Sequence, residues 1–421
     1  MNHETLKQII YDQHTIIQES KIIDRDYSFE ENGNYVLIGL RRAGKTTLLY
    51  KRVQDLIKKG VDWKQIIYIN FDDERLLGFT VKDFEDILLT AEEITEKKKY
   101  YYFDEIQNID GWERFAIRLA NAGRKVDITG SNAKRLSREV NAKLGGRYLT
   151  KIVYPFSFEE YLKANKVDID AYSSTKTQGK VASALESYYR FGGFPESLRF
   201  SNKREYLSSV YEKVLIGDII VRNGIRNENE IRMLMKKIAE TVCSNVTYSS
   251  LSNTLKAIGF NLSRNSIIDY CSYAVQSFLL FGLKNYYSSF VDKESSPKFY
   301  FSDNGILSLF LSKDDTALFE NIVAIFLHEK FGDRLYYLKS SKTKLDIDFF
   351  IPEENVAVQA CYSIEKQEIF DREVSQLVRL NEKESGKYKL YIVTKEDKRE
   401  LFVKGNKIEV ISLTDFLLGR K

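Results

Sequence analysis

Cysteine and histidine are scarce in this chain. Its 421 residues include three of each. The cysteines, Cys243, Cys271 and Cys361, lie far apart and form no C-x-x-C pair. This distribution argues against a disulfide framework, a zinc ribbon and a histidine-based metal site, and it fits a reducing compartment.

Long apolar runs are also missing. The most apolar stretch, residues 277–283, is far too short to cross a bilayer. Residues 1–4 begin a polar amphipathic helix and carry no apolar signal-peptide core. We therefore expect a cytoplasmic protein with no membrane partner.

The composition is that of an ordinary globular protein. Hydrophobic residues make up 43% and charged residues 29%, and the net charge is +4. A chain of this length suggests about two to four domains. The slight basic excess does not by itself indicate a nucleic-acid partner.

A phosphate-binding motif stands near the amino terminus. Residues 39–46 match G-x-x-x-x-G-K-[ST], between a short apolar strand and a helical pattern. Backbone N–H groups of such a loop surround a triphosphate, and the helix N-terminus adds partial positive charge. Lys45 should reach the β and γ phosphates of ATP, and the Thr46 hydroxyl should ligate Mg²⁺. The predicted nucleotide-binding residues are Gly39, Leu40, Arg41, Arg42, Ala43, Gly44, Lys45, Thr46, Thr47 and Asp104.

Two carboxylates end a later apolar strand. Asp104 and Glu105 follow residues 99–103, and a strand beside the phosphate loop would bring Asp104 to the Mg²⁺ shell. Glu105 could then orient and polarise the attacking water. A nucleotide switch that only binds needs the first acid alone, so the pair argues for turnover. Taken alone, an acidic pair at a strand exit is commonly just solvated.

A further strand, residues 125–129, leads into Gly130-Ser131-Asn132. Asn132 is a candidate catalytic residue that could sit between the water and the γ-phosphate. Ordinary turn chemistry explains the same three residues equally simply.

The rest of the chain divides by its pattern of helices and strands. Residues 34–154 alternate apolar strands with helices, which predicts a parallel α/β sheet covered on both faces. Residues 157–215 are helical and could form a lid on the nucleotide. Residues 231–310 read as three helices and two strands, the layout of a winged helix-turn-helix. Its third helix would present Arg264 to duplex DNA, or the module could dock a protein instead. A second α/β unit follows from residue 318.

The motif set resembles the uncharacterised AAA-type ATPases of bacteria and archaea that carry a C-terminal restriction-endonuclease-like domain. The resemblance covers nearly the whole chain and rests on residues 39–46, 71–75, 102–107, 130–132, 144–148 and 154–161. It implies an AAA-type P-loop NTPase core at 1–156, a helical lid at 157–215, a winged-helix domain at 216–312 and an endonuclease-like α/β domain at 313–421. It also implies that Arg147 is an arginine finger or sensor arginine, acting within one chain or across a homo-oligomer.

The C-terminal part resembles the PD-(D/E)xK nuclease fold with part of its site missing. Glu320 and Asp348 fall where the first metal-binding acids belong. The E-x-K position reads Gln359-Ala360-Cys361, which supplies neither a carboxylate nor a fixed cation. We therefore expect a structural or docking domain rather than a nuclease.

These observations favour an ATP-hydrolysing switch or remodeller whose nucleotide state controls an unknown protein or DNA partner. The alternative is a DNA-binding regulator in which nucleotide only gates binding. A nucleotide-gated nuclease is contradicted by Gln359 and Cys361.

Overall fold

The computed structural model describes residues 1–130, 144–168, 174–289, 296–311, 314–340, 342–363, 367–384 and 388–420. It divides into two compact units. The first is Met1–Tyr154 with Gln276–Phe278, and the second is Pro155–Val275 with Leu279–Lys421. Among the helices in these ranges, none is both long enough and apolar enough to cross a membrane.

The first unit is built on a five-stranded parallel sheet with the order β2-β3-β4-β1-β5. This confirms the predicted parallel-sheet α/β fold of P-loop NTPases. The strands are β1 Tyr35–Ile38, β2 Ile66–Asn70, β3 Tyr100–Asp104, β4 Lys125–Gly130 and β5 Leu149–Ile152. The α-helices are His3–Glu19, Lys45–Lys58, Phe84–Ile94 and Trp112–Asn121.

The buried strand β1, which lies between β4 and β5, positions the site. All four residues of β1 are buried, as expected for a parallel strand covered on both faces. Ile38, its last residue, pairs with Gly130 of β4 and Ile152 of β5. Because the strands are parallel, the phosphate loop after Ile38 and the end of β3 at Asp104 lie at the same edge of the sheet.

The second unit begins with helices. They are Phe158–Ala164, Thr175–Phe191, Lys203–Lys213, the π-helical Val214–Val221, Glu228–Glu240, Tyr248–Ala257 and Arg264–Gln276. Helices Thr175–Phe191 and Lys203–Lys213, from the segment predicted as a lid, pack against helix Asn304–Phe310 of the same unit. The lid role itself stays a prediction.

The helix-helix-helix-strand-strand order expected of a winged helix is present. Ser263 caps the third helix, because its Oγ accepts the Ser266 N–H at 3.0 Å. The two strands, β6 Leu280–Asn285 and β7 Lys298–Phe301, pair antiparallel. However, β6 also pairs in parallel with β8. The strands predicted as a wing therefore form one edge of a larger sheet.

That larger sheet has eight strands in the order β12-β13-β11-β10-β9-β8-β6-β7 and is mixed. Its further strands are β8 Tyr336–Ser340, β9 Leu345–Ile351, β10 Val356–Ala360, β11 Lys389–Thr394, β12 Arg399–Val403 and β13 Asn406–Ser412. Helices Asp315–Phe331, Gln367–Lys383 and Leu413–Leu417 accompany it. The β12–β13 hairpin was missed in the sequence. Gly405, with φ of 79° at its turn, is the signal that could have revealed it.

Candidate nucleotide-binding site

The phosphate loop needs glycine at two positions. Gly39 has φ of 148°, and a Cβ there would overlap the Val153 carbonyl oxygen. Gly44 has φ of 100° and precedes helix Lys45–Lys58. The loop therefore passes close to the chain that leaves β5 and turns sharply into the helix, so the first backbone N–H groups of the helix face the loop.

Lys45 is buried inside this loop. Its Nζ lies 3.1 Å from the carbonyl oxygens of both Gly39 and Leu40. Arg25, which no sequence motif pointed to, fixes the loop from outside by donating to the carbonyl oxygens of Ala43 and Tyr154, each at 2.9 Å. A fixed ammonium group therefore stands where the loop would surround phosphate.

Around the loop, the remaining predicted residues differ in exposure. Ala43 is buried, Arg41 is half-buried, and Arg42 and Thr47 are exposed. Arg42 adopts a left-handed conformation with φ of 66°. In the described part of the chain, the loop thus keeps its two arginines towards the surface and its lysine inside.

Asp104 and Thr46, the two predicted Mg²⁺ ligands, lie next to each other. The Thr46 hydroxyl lies close enough to the Asp104 carboxylate to lower its pKa. Tyr68 of β2 donates to Asp104, with 3.1 Å between its hydroxyl and Oδ2. Burial and the neighbouring Glu105 raise the pKa of Asp104 to about 6. A buried anionic oxygen beside a hydroxyl fits the oxygen ligands that Mg²⁺ prefers.

Glu105 is held in an uncommon backbone conformation. Its φ of 50° is left-handed, which few non-glycine residues adopt. Its N–H donates to Thr129 Oγ1 at 2.9 Å, and its side chain accepts a hydrogen bond from the amide of Gln107. The Oε1 of Gln107 is buried without a partner in the described structure. These contacts orient Glu105 at the edge of the sheet that carries the loop.

Thr129 links the two acids, a role that no sequence motif indicated. It is fully buried at the end of β4. Its hydroxyl donates to Asp104 Oδ1 and accepts from the Glu105 backbone. A threonine on a buried strand is ordinary, so only the register of β3 beside β4 reveals the contact.

Replacing Thr129 with valine should slow ATP turnover by about tenfold, since a lost hydrogen bond to a charged group costs about 1.5 to 3 kcal/mol. Because the hydroxyl stabilises ionised Asp104, its loss should raise the pKa of Asp104. The acid limb of the pH–rate profile should therefore move to higher pH. Thr129→Ser, which keeps the hydroxyl, is the matched control and should behave as wild type. An unchanged profile in Thr129→Val would contradict the positioning role.

Arg147 lies at the opposite edge of the sheet. It precedes β5, whose first residue, Leu149, pairs with Tyr35 at the start of β1. The four residues of β1 separate this edge from the loop by about 13 Å. Arg147 is exposed there and lines a cavity of about 1030 Å³ together with Lys51, Arg52 and Lys125. Within one chain it does not reach the phosphate loop. A role towards a neighbouring subunit stays a prediction.

Asn132, the other predicted catalytic residue, lies outside the described residues. The structure follows β4 as far as Gly130, at the same edge as Asp104. The sensor role of Asn132 therefore stays a prediction.

The comparisons with known proteins agree with this geometry. Residues 31–162 match the model of an AAA domain, and residues 182–317 match a domain of unknown function, DUF8612. The chain is 31% identical to the uncharacterized protein MJ1544 of Methanocaldococcus jannaschii over 369 residues, which are 85% of this chain and 81% of that protein. It is 28% identical to an uncharacterized protein of Haemophilus influenzae over 394 residues, covering 91% and 94% of the two chains.

Among solved structures, the Walker-type ATPase PABY2304 of Pyrococcus abyssi aligns with a TM-score of 0.46 and 14% identity. The alignment covers 70% of this chain and 99% of that one. The alignment with the Methanocaldococcus protein extends well beyond the phosphate loop, with 31% identity over 85% of this chain. This chain therefore belongs to the same family of AAA-domain proteins as MJ1544.

Proposed function

We propose that this protein binds and hydrolyses MgATP, and that its nucleotide state controls how its C-terminal half engages a protein or DNA partner. The observation that carries the proposal is the contact between Thr46 and Asp104, with Glu105 directly beside them. A switch that only binds nucleotide needs Thr46 and Asp104. Glu105, which is held by Thr129 and Gln107, argues for turnover.

The residues have separate tasks in this mechanism. Lys45 exchanges its loop carbonyl partners for phosphate oxygens and thereby binds the β and γ phosphates. Thr46 and Asp104 would hold Mg²⁺, which when bound neutralises charge on the phosphate oxygens. Glu105 accepts a proton from the attacking water as the water oxygen bonds to the γ-phosphorus, and the bond from that phosphorus to the β–γ bridging oxygen breaks and releases ADP.

Steady-state release of phosphate, measured with and without duplex DNA, tests the proposal. Mg²⁺-dependent hydrolysis by the purified chain supports it. Tight MgATP binding without turnover would favour the alternative, a nucleotide-gated DNA-binding regulator. Arg264 is the observation behind that alternative, because it is exposed in the first turn of helix Arg264–Gln276. DNA affinity should then fall steeply with salt, since phosphate contacts release counterions.

The position of Arg147 yields a test of assembly. If it reaches the nucleotide of a neighbouring copy, Arg147→Ala should lower turnover by about a thousandfold or more while MgATP affinity is retained. Specific activity of the wild type should rise with protein concentration. Mixing Arg147→Ala with Lys45→Ala subunits should restore part of the turnover, because one partner keeps its nucleotide site and the other its arginine. Wild-type turnover in Arg147→Ala would mean that this residue is only a solvated surface cation.

A further inference from the structure

Three charged side chains, of which two are buried and the third, Asp348, is 20% exposed, meet in the second unit. The Nζ of Lys298, on β7, lies 2.6 Å from Oε1 of Glu320 and 3.4 Å from Oδ1 of Asp348. Glu320 belongs to helix Asp315–Phe331 and Asp348 to β9. The side chains of Lys298 and Glu320 are only 5% and 8% exposed. A single ammonium group therefore stands between two carboxylates from separate elements.

These two carboxylates are those that the nuclease resemblance assigns to a metal ion, and their other contacts are also made. Glu320 Oε1 accepts the Tyr300 hydroxyl at 2.7 Å. Asp348 Oδ2 accepts the backbone N–H of Ala360 at 3.1 Å. The positive charge beside the two carboxylates therefore comes from the Lys298 ammonium.

Gln359, at the position of the third acid, is already engaged in three hydrogen bonds. Its Oε1 accepts the Asp348 N–H at 2.8 Å, and its Nε2 donates to Asp346 O at 2.9 Å and to Glu373 Oε2 at 2.8 Å. A neutral amide engaged in this way adds no charge for a divalent ion. Within the described residues, no group of three His, Cys, Asp or Glu side chains is arranged to hold a metal. The cluster does not fit the metal that the resemblance implies.

We propose that the Lys298 ammonium is the resident cation of this cluster. It takes the place of a divalent metal between Glu320 and Asp348 and ties β7 to helix Asp315–Phe331 and β9. The endonuclease-like half of the chain is accordingly a metal-independent module, locked by an internal ion pair, and it does not cleave DNA. The reason is electrostatic: removing the ammonium would leave the Glu320 and Asp348 carboxylates close together without a cation between them, whereas adding Mg²⁺ beside the ammonium would bring like charges together.

The test is the number of Mn²⁺ ions bound per chain, measured by electron paramagnetic resonance on the full-length protein without nucleotide. Lys298→Met removes the charge and keeps the length of the side chain. It should bind one Mn²⁺ more than wild type, and added Mn²⁺ should raise its unfolding temperature more than that of wild type. Lys339→Met is the matched control, because Lys339 is half exposed and its ion pair is with Asp346. It should keep the wild-type number.

A second variant keeps the test decisive if Lys298→Met unfolds. In Lys298→Met/Glu320→Gln the net charge of the cluster returns to the wild-type value, and the glutamine oxygen still accepts from Tyr300. This double variant should fold and bind no additional Mn²⁺. The proposal is overturned if Asp348→Asn removes an Mn²⁺ site from the otherwise wild-type chain, or abolishes a divalent-dependent cleavage of DNA. Loss of an Mn²⁺ site or of DNA cleavage in Asp348→Asn would leave the proposal of ATP hydrolysis untouched, because Lys45 and Asp104 are unchanged in every variant.

Discussion

Replacing Lys45 with alanine should weaken MgATP binding by about a thousandfold. The Lys45 ammonium is buried in the phosphate loop and now donates to Gly39 O and Leu40 O. Facing a triphosphate, it would form at least two charge-assisted hydrogen bonds, each contributing about 1.5 to 3 kcal/mol. Alanine provides no replacement cation at this position.

Isothermal titration calorimetry with a non-hydrolysable ATP analogue and Mg²⁺ measures this loss directly. Lys51→Ala is the matched control, since Lys51 belongs to the same helix and pairs with Asp55 at 2.7 Å. We expect Lys51→Ala to bind the analogue as wild type does. Equal affinity in wild type and Lys45→Ala would refute the assignment of the phosphate loop.

Glu105→Gln should leave nucleotide binding nearly intact and slow hydrolysis by about a thousandfold, within the range of general base catalysis. Glutamine keeps the shape of the side chain and can still contact Gln107. It cannot accept the proton of the attacking water. Asp104 and Thr46, the groups expected to hold Mg²⁺, are unchanged.

Single-turnover hydrolysis at saturating MgATP separates this chemical step from binding. Glu74→Gln serves as the control, because Glu74 is an exposed acid of the same unit. Its removal should not alter the rate. If Glu105→Gln hydrolyses as fast as wild type, Glu105 does not activate the water. A partner that is retained by the Glu105→Gln variant in the ATP state would identify what the switch controls.

The sequence predicted the first unit well because its signals are local. The phosphate loop is eight consecutive residues, and apolar runs mark β1 to β5 directly. Parallel pairing then brings the ends of β1 and β3 to one edge, which is why Lys45, Thr46, Asp104 and Glu105 could be grouped before the structure was known.

Other parts of the site depend on register and could not be predicted in this way. Thr129 contacts both acids because β4 lies beside β3, and Arg25 holds the loop from a segment without regular structure. Arg147 shows the reverse case. The family resemblance implied a role for Arg147 at the nucleotide, yet Arg147 precedes β5 and lies at the edge of the sheet opposite the phosphate loop.

By itself, the sequence determined that this chain carries a phosphate loop with paired acids, and that Gln359 and Cys361 stand where the nuclease resemblance implies a carboxylate and a lysine. Only the tertiary structure decided that Lys298 stands between Glu320 and Asp348. Lys298 lies 22 and 50 residues from Glu320 and Asp348 in the sequence, so no local pattern joins the three. They meet because β7, β9 and helix Asp315–Phe331 pack together, and the Lys298 ammonium that this packing supplies offsets the repulsion between the Glu320 and Asp348 carboxylates.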